Sequence, residues 1–221
     1  GQLLMSQENQ LKKLRPRYLK FTTYLIIMNK IILASKSEVR KKILLENGIP
    51  CNVEPSKVDE DVIKESLLKE GATPEIISKN LAELKANKIS NKNPDELVLG
   101  ADSVINLDGK IISKPKSREE AFNILKKMSG KSHFLISSVC ISKKGNMIWN
   151  YTDKAELVMK DLNDGELKNY LSKISDKILY AYNVYQIEGE GKKLFREIKG
   201  DKNTIMGLPI AKIKSYLQEH K

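Results

Sequence analysis

The residues whose types are best suited to chemistry follow a short apolar run that precedes a predicted helix. The segment IILASKSEVR, residues 31–40, places Ser35, Ser37 and Arg40 directly after four apolar residues. A strand that ends in hydroxyl residues where a helix begins can bind an anion, because first-turn amides are unpaired and the helix dipole is positive there. Arg40 could bind a phosphate through two N–H groups. An ordinary Ser37 N-cap beside a solvated arginine is the alternative.

Two other segments supply carboxylates. VDED, residues 58–61, offers the hard oxygen ligands that Mg²⁺ prefers, although such runs are more often solvated loops or helix N-termini. VLGADS, residues 98–103, carries Asp102 after an apolar run and two small residues. We expect Asp102 at the C-terminal end of a strand, where ligands of open α/β sheets bind. A strand-ending Asp in a simple turn is the alternative.

Two lysines are further candidates. Lys85 lies in LAELKA, only partly on the apolar side of its predicted helix, so we expect a half-buried ammonium; Lys114 lies in SKP. A solvated side chain is the usual alternative for any lysine. His133 and His220 are isolated, and no histidine metal site or catalytic triad is predicted.

Strands and helices alternate along the rest of the chain. A buried strand is predicted over 30–34, and a helix capped by Ser37 over 38–47. Thr73 and Pro74 begin a helix over 73–90 whose apolar face includes Ile77, Leu81 and Leu84. Further helices are predicted over 117–130 and 209–219 and from 163 onward, with hairpin turns at 108–109 and 144–146. This mixture predicts an α/β fold with a mixed central sheet.

Composition excludes several classes of protein. The 221 residues are 40% hydrophobic and 30% charged, which is typical of a folded domain and too apolar for disorder. No apolar run approaches the ~20 residues of a membrane span, and no secretory signal is recognisable, so we expect a cytoplasmic protein without a membrane partner. The net charge of +11 favours an anionic partner, but residues 1–30 hold six Lys/Arg against one acid. The rest of the chain, after residue 30, is therefore only mildly basic.

Eight segments, in this order, resemble the Maf family of nucleoside triphosphate pyrophosphatases over about residues 29–219. They are LASKSEVR, VDE, LAELKA, GADS, DGKIISKP, KKMSGKSH, YQIEGEG and EIKGDKNTIMGLP. No single segment is diagnostic, but their joint order is. The resemblance implies an elongated α/β fold akin to inosine-triphosphate pyrophosphatases, with a cleft between two lobes. It divides the chain into an extension, 1–27, and one domain, 28–221.

The resemblance also implies an activity, the hydrolysis of a nucleoside triphosphate to the monophosphate and pyrophosphate with Mg²⁺ or Mn²⁺. Ser35, Ser37 and Arg40 would then lie on the family's phosphate-binding loop. The family's catalytic carboxylates and lysines match Glu60, Lys85, Asp102 and Lys114. Asp102 matches the proton acceptor, and Glu60 and Asp102 would hold the metal.

Three positions depart from the pattern of relatives that act on pyrimidine triphosphates. Val39 replaces an Arg, Glu188 replaces a Gln, and Ser103 replaces a Thr or Gln. An apolar residue paired with Glu is more similar to the subgroup that acts on 7-methyl-GTP. A carboxylate accepts hydrogen bonds from the two donors on guanine's edge, whereas Gln both donates and accepts. These residues therefore favour a guanine-type base.

The sequence leaves two rival functions open. A non-catalytic nucleotide-binding regulator of cell division or septum formation is the main alternative, although the presence of Asp102, Glu60 and the phosphate-binding bases argues for turnover. A nucleic-acid binder would use the basic residues 1–30, but the chain lacks interleaved aromatic residues and any recognised module. The sequence leaves both a monomer and a homodimer open.

Overall fold

The computed structural model describes residues 30–181 and 183–220, and it begins with alternating strands and helices. Strand β1 is short and fully buried, and Ser37 caps the helix that follows, as predicted. A second short strand and a helix that begins at Glu60 precede the long helix capped by Thr73. These elements are β1 (Ile31–Leu33), α1 (Glu38–Glu46), β2 (Cys51–Val53), α2 (Glu60–Lys69) and α3 (Pro74–Lys92).

Long antiparallel strands dominate the second part of the chain. The Asp108–Gly109 and Lys144–Gly145 turns have positive φ at both residues, which suits two-residue hairpins. A capping box joins Asn163 and Glu166 at one helix start. The elements are β3 (Val98–Leu107), β4 (Lys110–Ile112), α4 (Arg118–Met128), β5 (Ser132–Lys143), β6 (Asn146–Met159), α5 (Asp164–Ser172), α6 (Asp176–Ala181), a 3₁₀ helix (Glu190–Leu194), β7 (Phe195–Lys199), α7 (Lys202–Ile205) and α8 (Ile210–Glu219).

The strands form one mixed seven-stranded sheet, which confirms the predicted α/β class. Its order is β2-β1-β3-β5-β6-β7, with β4 paired to β3. Strands β1, β2 and β3 are parallel, and all other pairs are antiparallel. Strand β3 meets β1 at Val98–Leu99 and meets β4 only from Ile105. Within the described residues, positions 100–104 have no strand partner on that edge.

Separate apolar cores lie toward the two ends of β3. One packs β1, α1 and α8 around Leu99 and Ala101, and another packs α3 against Val98 on the opposite face. A larger core surrounds Ile105 and Leu107 and includes α4, α5 and β7. Residues 102 and 103 therefore lie between the cores, on the segment of β3 whose edge is free.

A close contact between α3 and β3 determines which face of the helix is buried. The position of a Cβ on Gly100 is already filled by the Ala82 carbonyl and lies 2.8 Å from the Ala86 amide nitrogen. Ala82, Lys85 and Ala86 thus face the sheet, since residues three and four apart share a helix face. The sequence had placed Leu84 on the apolar face, and this was wrong: Leu84 is 43% exposed.

The predicted position of Asp102 at the end of a strand was also wrong. Asp102 lies in the middle of β3, which continues to Leu107 because it pairs with β5 from Val98 to Asn106. The shorter neighbour β1 ends at Leu33, whose partner on β3 is Leu99, three residues before Asp102. The predicted extension, residues 1–27, lies outside the described residues. In the part of the chain that the structure describes, no helix is long and apolar enough to cross a membrane.

Candidate active site

Three predicted residues from three different elements meet at one buried ammonium. Lys85 Nζ on α3 lies 2.9 Å from Asp102 Oδ1 on β3 and 2.8 Å from Glu60 Oε1, the first residue of α2. Lys85 is only 8% exposed and Asp102 only 4%. Ser78 Oγ, also on α3, donates to the carbonyl of Asp102 at 3.1 Å. The backbone and the side chain of Asp102 are thus both held by α3.

This arrangement shifts the pKa values of the two carboxyl groups in opposite directions. Burial raises the pKa of Asp102 above its ordinary value, and the attraction of Lys85 offsets this only in part. Burial would also raise the pKa of Glu60, but Lys85, Lys64 and Lys114 outweigh it and the pKa is lowered. Two carboxyl groups with pKa values pushed apart are a frequent sign of separate roles in catalysis.

One oxygen of this centre lacks a partner. Asp102 Oδ2 is buried and makes no hydrogen bond to any described residue. A buried carboxylate oxygen without a partner costs about 1–3 kcal/mol or more, so a native site normally supplies one. Glu60 Oε2 is similarly available, with Lys64 Nζ 3.9 Å away. No group of three or more His, Cys, Asp or Glu side chains that could hold a metal ion occurs among the described residues. Asp102 and Glu60, the two residues that the resemblance assigns to the metal, are the carboxylates of this centre.

A second cluster surrounds Arg40 on the other face of β3. Its guanidinium donates from Nε to the Gly207 carbonyl at 2.8 Å, from Nη1 to Ser35 Oγ at 3.2 Å and from Nη2 to Ser103 Oγ at 3.1 Å. These bonds use three of the five N–H groups of an arginine and leave one on each terminal nitrogen. Burial lowers the pKa of Arg40, while the charges of Asp102 and Glu60 raise it. The two clusters therefore interact electrostatically.

The two loop serines act here as acceptors from the backbone and from Arg40. Ser37 Oγ accepts from the amide of Arg40 at 3.3 Å, and Ser35 Oγ accepts from the amide of Ser37 at 3.2 Å. Each hydroxyl therefore keeps its own proton to donate. Ser35 and Ser37 lie at the N-terminus of α1, which adds a positive dipole to the guanidinium. The three residues predicted to bind an anion, Ser35, Ser37 and Arg40, therefore lie together.

Lys114 lies in the loop after β4, close enough to Glu60 and Arg40 for their charges to affect it. Partial burial lowers its pKa, and Arg40, Lys64 and Lys85 lower it further, while Glu60 acts in the opposite direction. A cation among other cations is a suitable counter-charge for a polyanion. Lys64 was missed in the sequence, although its place four residues after Glu60 on α2 is a recognisable helical ion-pair spacing.

The predicted base-recognition residues are more dispersed. Val39 is half-buried and packs on the core beneath α1 and α8. Glu188 lies at the surface, with its Oε1 3.9 Å from Lys202 Nζ on α7. Ser103 Oγ accepts from Arg40, so Ser103 belongs to the Arg40 cluster.

Other polar residues around the site were not predicted. Ser103 Oγ lies 2.7 Å from Ser137 Oγ on β5, and Ser137 donates to the Thr204 carbonyl at 2.7 Å. Gly207 has φ of +100°, and a Cβ there would lie 3.2 Å from Arg40 Nε. In the sequence, the glycine of the MGLP segment was the only sign of these contacts. A serine in a strand does not reveal which residue its hydroxyl will bind.

Comparison with known proteins agrees with the resemblance in the sequence. The model of the family described as "Maf-like protein" matches residues 30–220. A "Nucleoside triphosphate pyrophosphatase" of Pelagibacter ubique is 71% identical over 192 residues, covering 87% of this chain and 98% of the relative. A "7-methyl-GTP pyrophosphatase" of Brucella suis is 38% identical over 192 residues, covering 87% and 96%.

A solved structure also aligns with the chain at low similarity. The Ham1 protein of Staphylococcus aureus superposes with a TM-score of 0.41 at 15% identity, covering 87% of this chain and 100% of that one.

Proposed function

Since this chain belongs to the Maf-like protein family, we propose that it is a hydrolase that cleaves nucleoside triphosphates to the monophosphate and pyrophosphate. The observation that carries the proposal is the buried Asp102–Lys85–Glu60 centre, which leaves Asp102 Oδ2 without a partner. A regulator that only binds nucleotides would gain nothing from a carboxylate whose pKa is raised by burial, whereas a general base would.

Asp102 orients the attacking water and takes its proton. A bond then forms between the water oxygen and phosphorus, and the α–β phosphoanhydride bond breaks, so that pyrophosphate leaves. Without the metal, burial raises the pKa of Asp102, which makes its carboxylate a better proton acceptor than an ordinary aspartate, and a cation bound at Oδ2 would offset part of that rise. Lys85 keeps Asp102 in place, and Lys114 and Arg40 stabilise the charge that develops on the phosphates. Ser35 and Ser37 donate their remaining protons to phosphate oxygens.

The donor set also fits the divalent metal that the family implies. Asp102 Oδ2 and Glu60 Oε2 would hold Mg²⁺ or Mn²⁺, which commonly bind one or two carboxylates together with phosphate oxygens. When bound, the metal supplies neutralisation of phosphate charge as a Lewis acid. Pairing with the metal would also remove the desolvation cost of the orphaned oxygen.

The test is pyrophosphate release from a panel of nucleotides, with and without a chelator. We expect turnover only with metal, while circular dichroism of the chelated protein stays unchanged, because no structural metal site is found in the described residues. Asp102→Asn should reduce kcat by about 10²–10³. Asn106→Ala, on the same strand, is the control and should leave kcat near the wild-type value. An Asp102→Asn protein with normal turnover would disprove the proposal.

For the base, we propose a guanine-type substrate such as 7-methyl-GTP. Glu188 as an ionised carboxylate offers acceptors only, and guanine's N1–H and amine are donors, whereas uracil and thymine present one donor between two carbonyls. Mispairing of a buried polar group costs about 1–3 kcal/mol; because Glu188 lies at the surface, we expect the lower end of that range, roughly a fivefold to tenfold preference. The relative named for 7-methyl-GTP supports this choice.

The comparison to make is kcat/KM for 7-methyl-GTP, GTP, UTP and dTTP in wild type, Glu188→Gln and Glu188→Gln/Val39→Arg. We expect the preference to move toward UTP and dTTP, most in the double variant. Glu190→Gln, two residues away on the 3₁₀ helix, is the matched control. An unchanged ranking would show that Glu188 does not read the base.

We also propose that residues 28–221 form the catalytic domain and act in the cytoplasm without nucleic acid or membrane. Every matching segment begins after Met28, and the family match starts at residue 30. A chain that starts at Met28 should keep kcat/KM within about tenfold of the full chain. A larger loss in a folded truncated protein would assign residues 1–27 to the site.

A further inference from the structure

A row of polar side chains crosses the sheet behind Arg40. Ser103 on β3 is the register partner of Ser137 on β5, and Ser137 is the partner of Asp153 on β6. Directly paired residues project from the same face of a sheet. Thr204 on α7 covers this row: its carbonyl accepts from Ser137, and its Oγ1 donates to Asp153 Oδ2 at 2.7 Å.

The chemistry of the groups fixes the direction of every hydrogen bond in the row. The Thr204 carbonyl can only accept, so the single proton of Ser137 points at it. Ser103 must then be the donor in its 2.7 Å contact with Ser137. A guanidinium can only donate, so Ser103 accepts from Arg40. The chain runs in one sense, from Arg40 through Ser103 and Ser137 to Thr204.

We propose that Ser137 is a positioning residue that fixes Ser103 as an acceptor for Arg40 and so holds the guanidinium for the triphosphate. This inference rests on the proposed role of Arg40 in phosphate binding. Ser137 and Thr204 are fully buried, so neither hydroxyl can exchange its partner for bulk water. The sole proton of Ser103 is already used, which assigns Ser103 to holding Arg40 rather than to donating to a base.

The same row ties Arg40 to the segment after α7. The Thr204 carbonyl accepts from Ser137, and the Thr204 hydroxyl donates to Asp153. Three residues further on, the Gly207 carbonyl accepts from Arg40 Nε. The guanidinium is therefore bound at two points of one network, at Nη2 through Ser103 and at Nε through Gly207. Loss of Ser137 releases Ser103 to rotate and loosens the first of these points.

The test uses Ser137→Ala with Ser138→Ala as a matched control. Ser138 is the next residue of β5, equally buried, but its hydroxyl pairs with Thr152 instead. The readout is the Kd of a non-hydrolysable α,β-methylene nucleoside triphosphate with Mg²⁺, measured by calorimetry on the full chain. We expect Ser137→Ala to weaken binding about threefold to tenfold, the usual range for one lost hydrogen bond. Ser138→Ala should change it less than twofold.

A double-mutant cycle separates positioning from a general structural effect. In the Arg40→Ala background, Ser137→Ala should change the Kd less than twofold, because the residue it positions is gone. Ser103→Ala removes the same link from the β3 side and should match Ser137→Ala, which keeps the test valid if Ser137→Ala does not fold.

The outcomes also distinguish this inference from the proposed function. If Arg40→Ala binds the analogue as well as wild type does, the proposed phosphate role of Arg40 is wrong. If Arg40→Ala weakens binding but both serine variants bind normally, or if their effects add fully to that of Arg40→Ala, the positioning role of Ser137 is overturned.

Discussion

Lys85 pairs with two carboxylates at once, so the arrangement of the site depends strongly on it. Its ammonium is nearly inaccessible to water and contacts both Glu60 and Asp102. A buried ammonium is tolerated only when charges of the opposite sign and hydrogen bonds replace its lost hydration. The two carboxylates supply both, and they in turn depend on Lys85 to stay close to each other.

Replacement of Lys85 by Met should therefore damage activity and stability together. Breaking a buried ion pair by removing one partner costs about 3–5 kcal/mol, part of which Asp102 recovers by binding a proton. We expect kcat/KM to fall about 10²–10³, with the midpoint of urea denaturation clearly lowered. In addition, the alkaline shift in the pKa of Asp102 should move the acid limb of the pH–rate profile upward, since Lys85 opposes burial at that carboxyl.

The matched control for this experiment is Lys79→Met, on the same helix but exposed. It should leave both the rate and the denaturation midpoint within error of wild type, because a solvated lysine contributes little. A Lys85→Met protein with unaltered turnover would show that the Asp102–Lys85–Glu60 contacts serve only the fold.

The close packing of helix α3 on strand β3 determines the position of Lys85. Gly100 permits the backbone of α3 to lie directly on β3, and the residues on either side of Lys85 along the contacting face are Ala82 and Ala86. Small residues at all three positions bring the helix close enough for Lys85 to reach Asp102. The geometry of the Lys85–Asp102 contact is thus a consequence of close packing between two elements.

Gly100→Ala should separate the helix from the strand. The added methyl would overlap the Ala82 carbonyl, which belongs to the backbone and cannot rotate away. Overpacking typically costs about 1–3 kcal/mol, and backbone contact places this variant at the upper end. Because α3 must shift, we expect kcat to fall by at least tenfold even in the folded fraction. Equilibrium denaturation and single-turnover rates provide the two measurements.

Gly189→Ala is the control for Gly100→Ala, since a Cβ there would meet no atom closer than 3.9 Å. Its stability should remain within about 0.5 kcal/mol of wild type. If Gly100→Ala were equally mild, the close approach of α3 to β3 would not be what sets the position of Lys85.

Elements whose ends are encoded locally could be predicted from the sequence. The caps at Ser37, Thr73 and Asn163 and the turn at 108–109 depend on a few neighbouring residues, and the structure confirms them. The length of β3 could not be predicted, because it depends on pairing with β5 about 40 positions away in the chain. The same holds for the Ser103–Ser137 contact. Its partners are chosen by register and not by local pattern.

The molecule as a whole contains one buried histidine that should make its stability depend on pH. His133 on β5 is 1% exposed, its Nε2 lies 2.9 Å from the Tyr185 hydroxyl, and Phe195 packs beside it. It sits in the large core that joins β5, β6 and β7, away from Asp102. Nδ1 has no partner among the described residues, so nothing compensates for a second proton on the ring.

Protonation of His133 should therefore destabilise the folded state below neutral pH. Burial lowers the pKa of His133 from 6.5 to about 4. Between these values the unfolded chain binds a proton that the folded chain does not, so stability is fully present above pH 6.5 and falls as the pH decreases toward 4. By linkage, wild type should lose about 2 kcal/mol between pH 7.5 and 5.0 that His133→Gln does not lose. Urea denaturation at the two pH values measures both proteins, and His220→Gln, which alters an exposed histidine, should retain the wild-type dependence. Equal pH dependence in wild type and His133→Gln would mean that the core of β5, β6 and β7 admits the charged ring, and that acid sensitivity arises from the carboxylates instead.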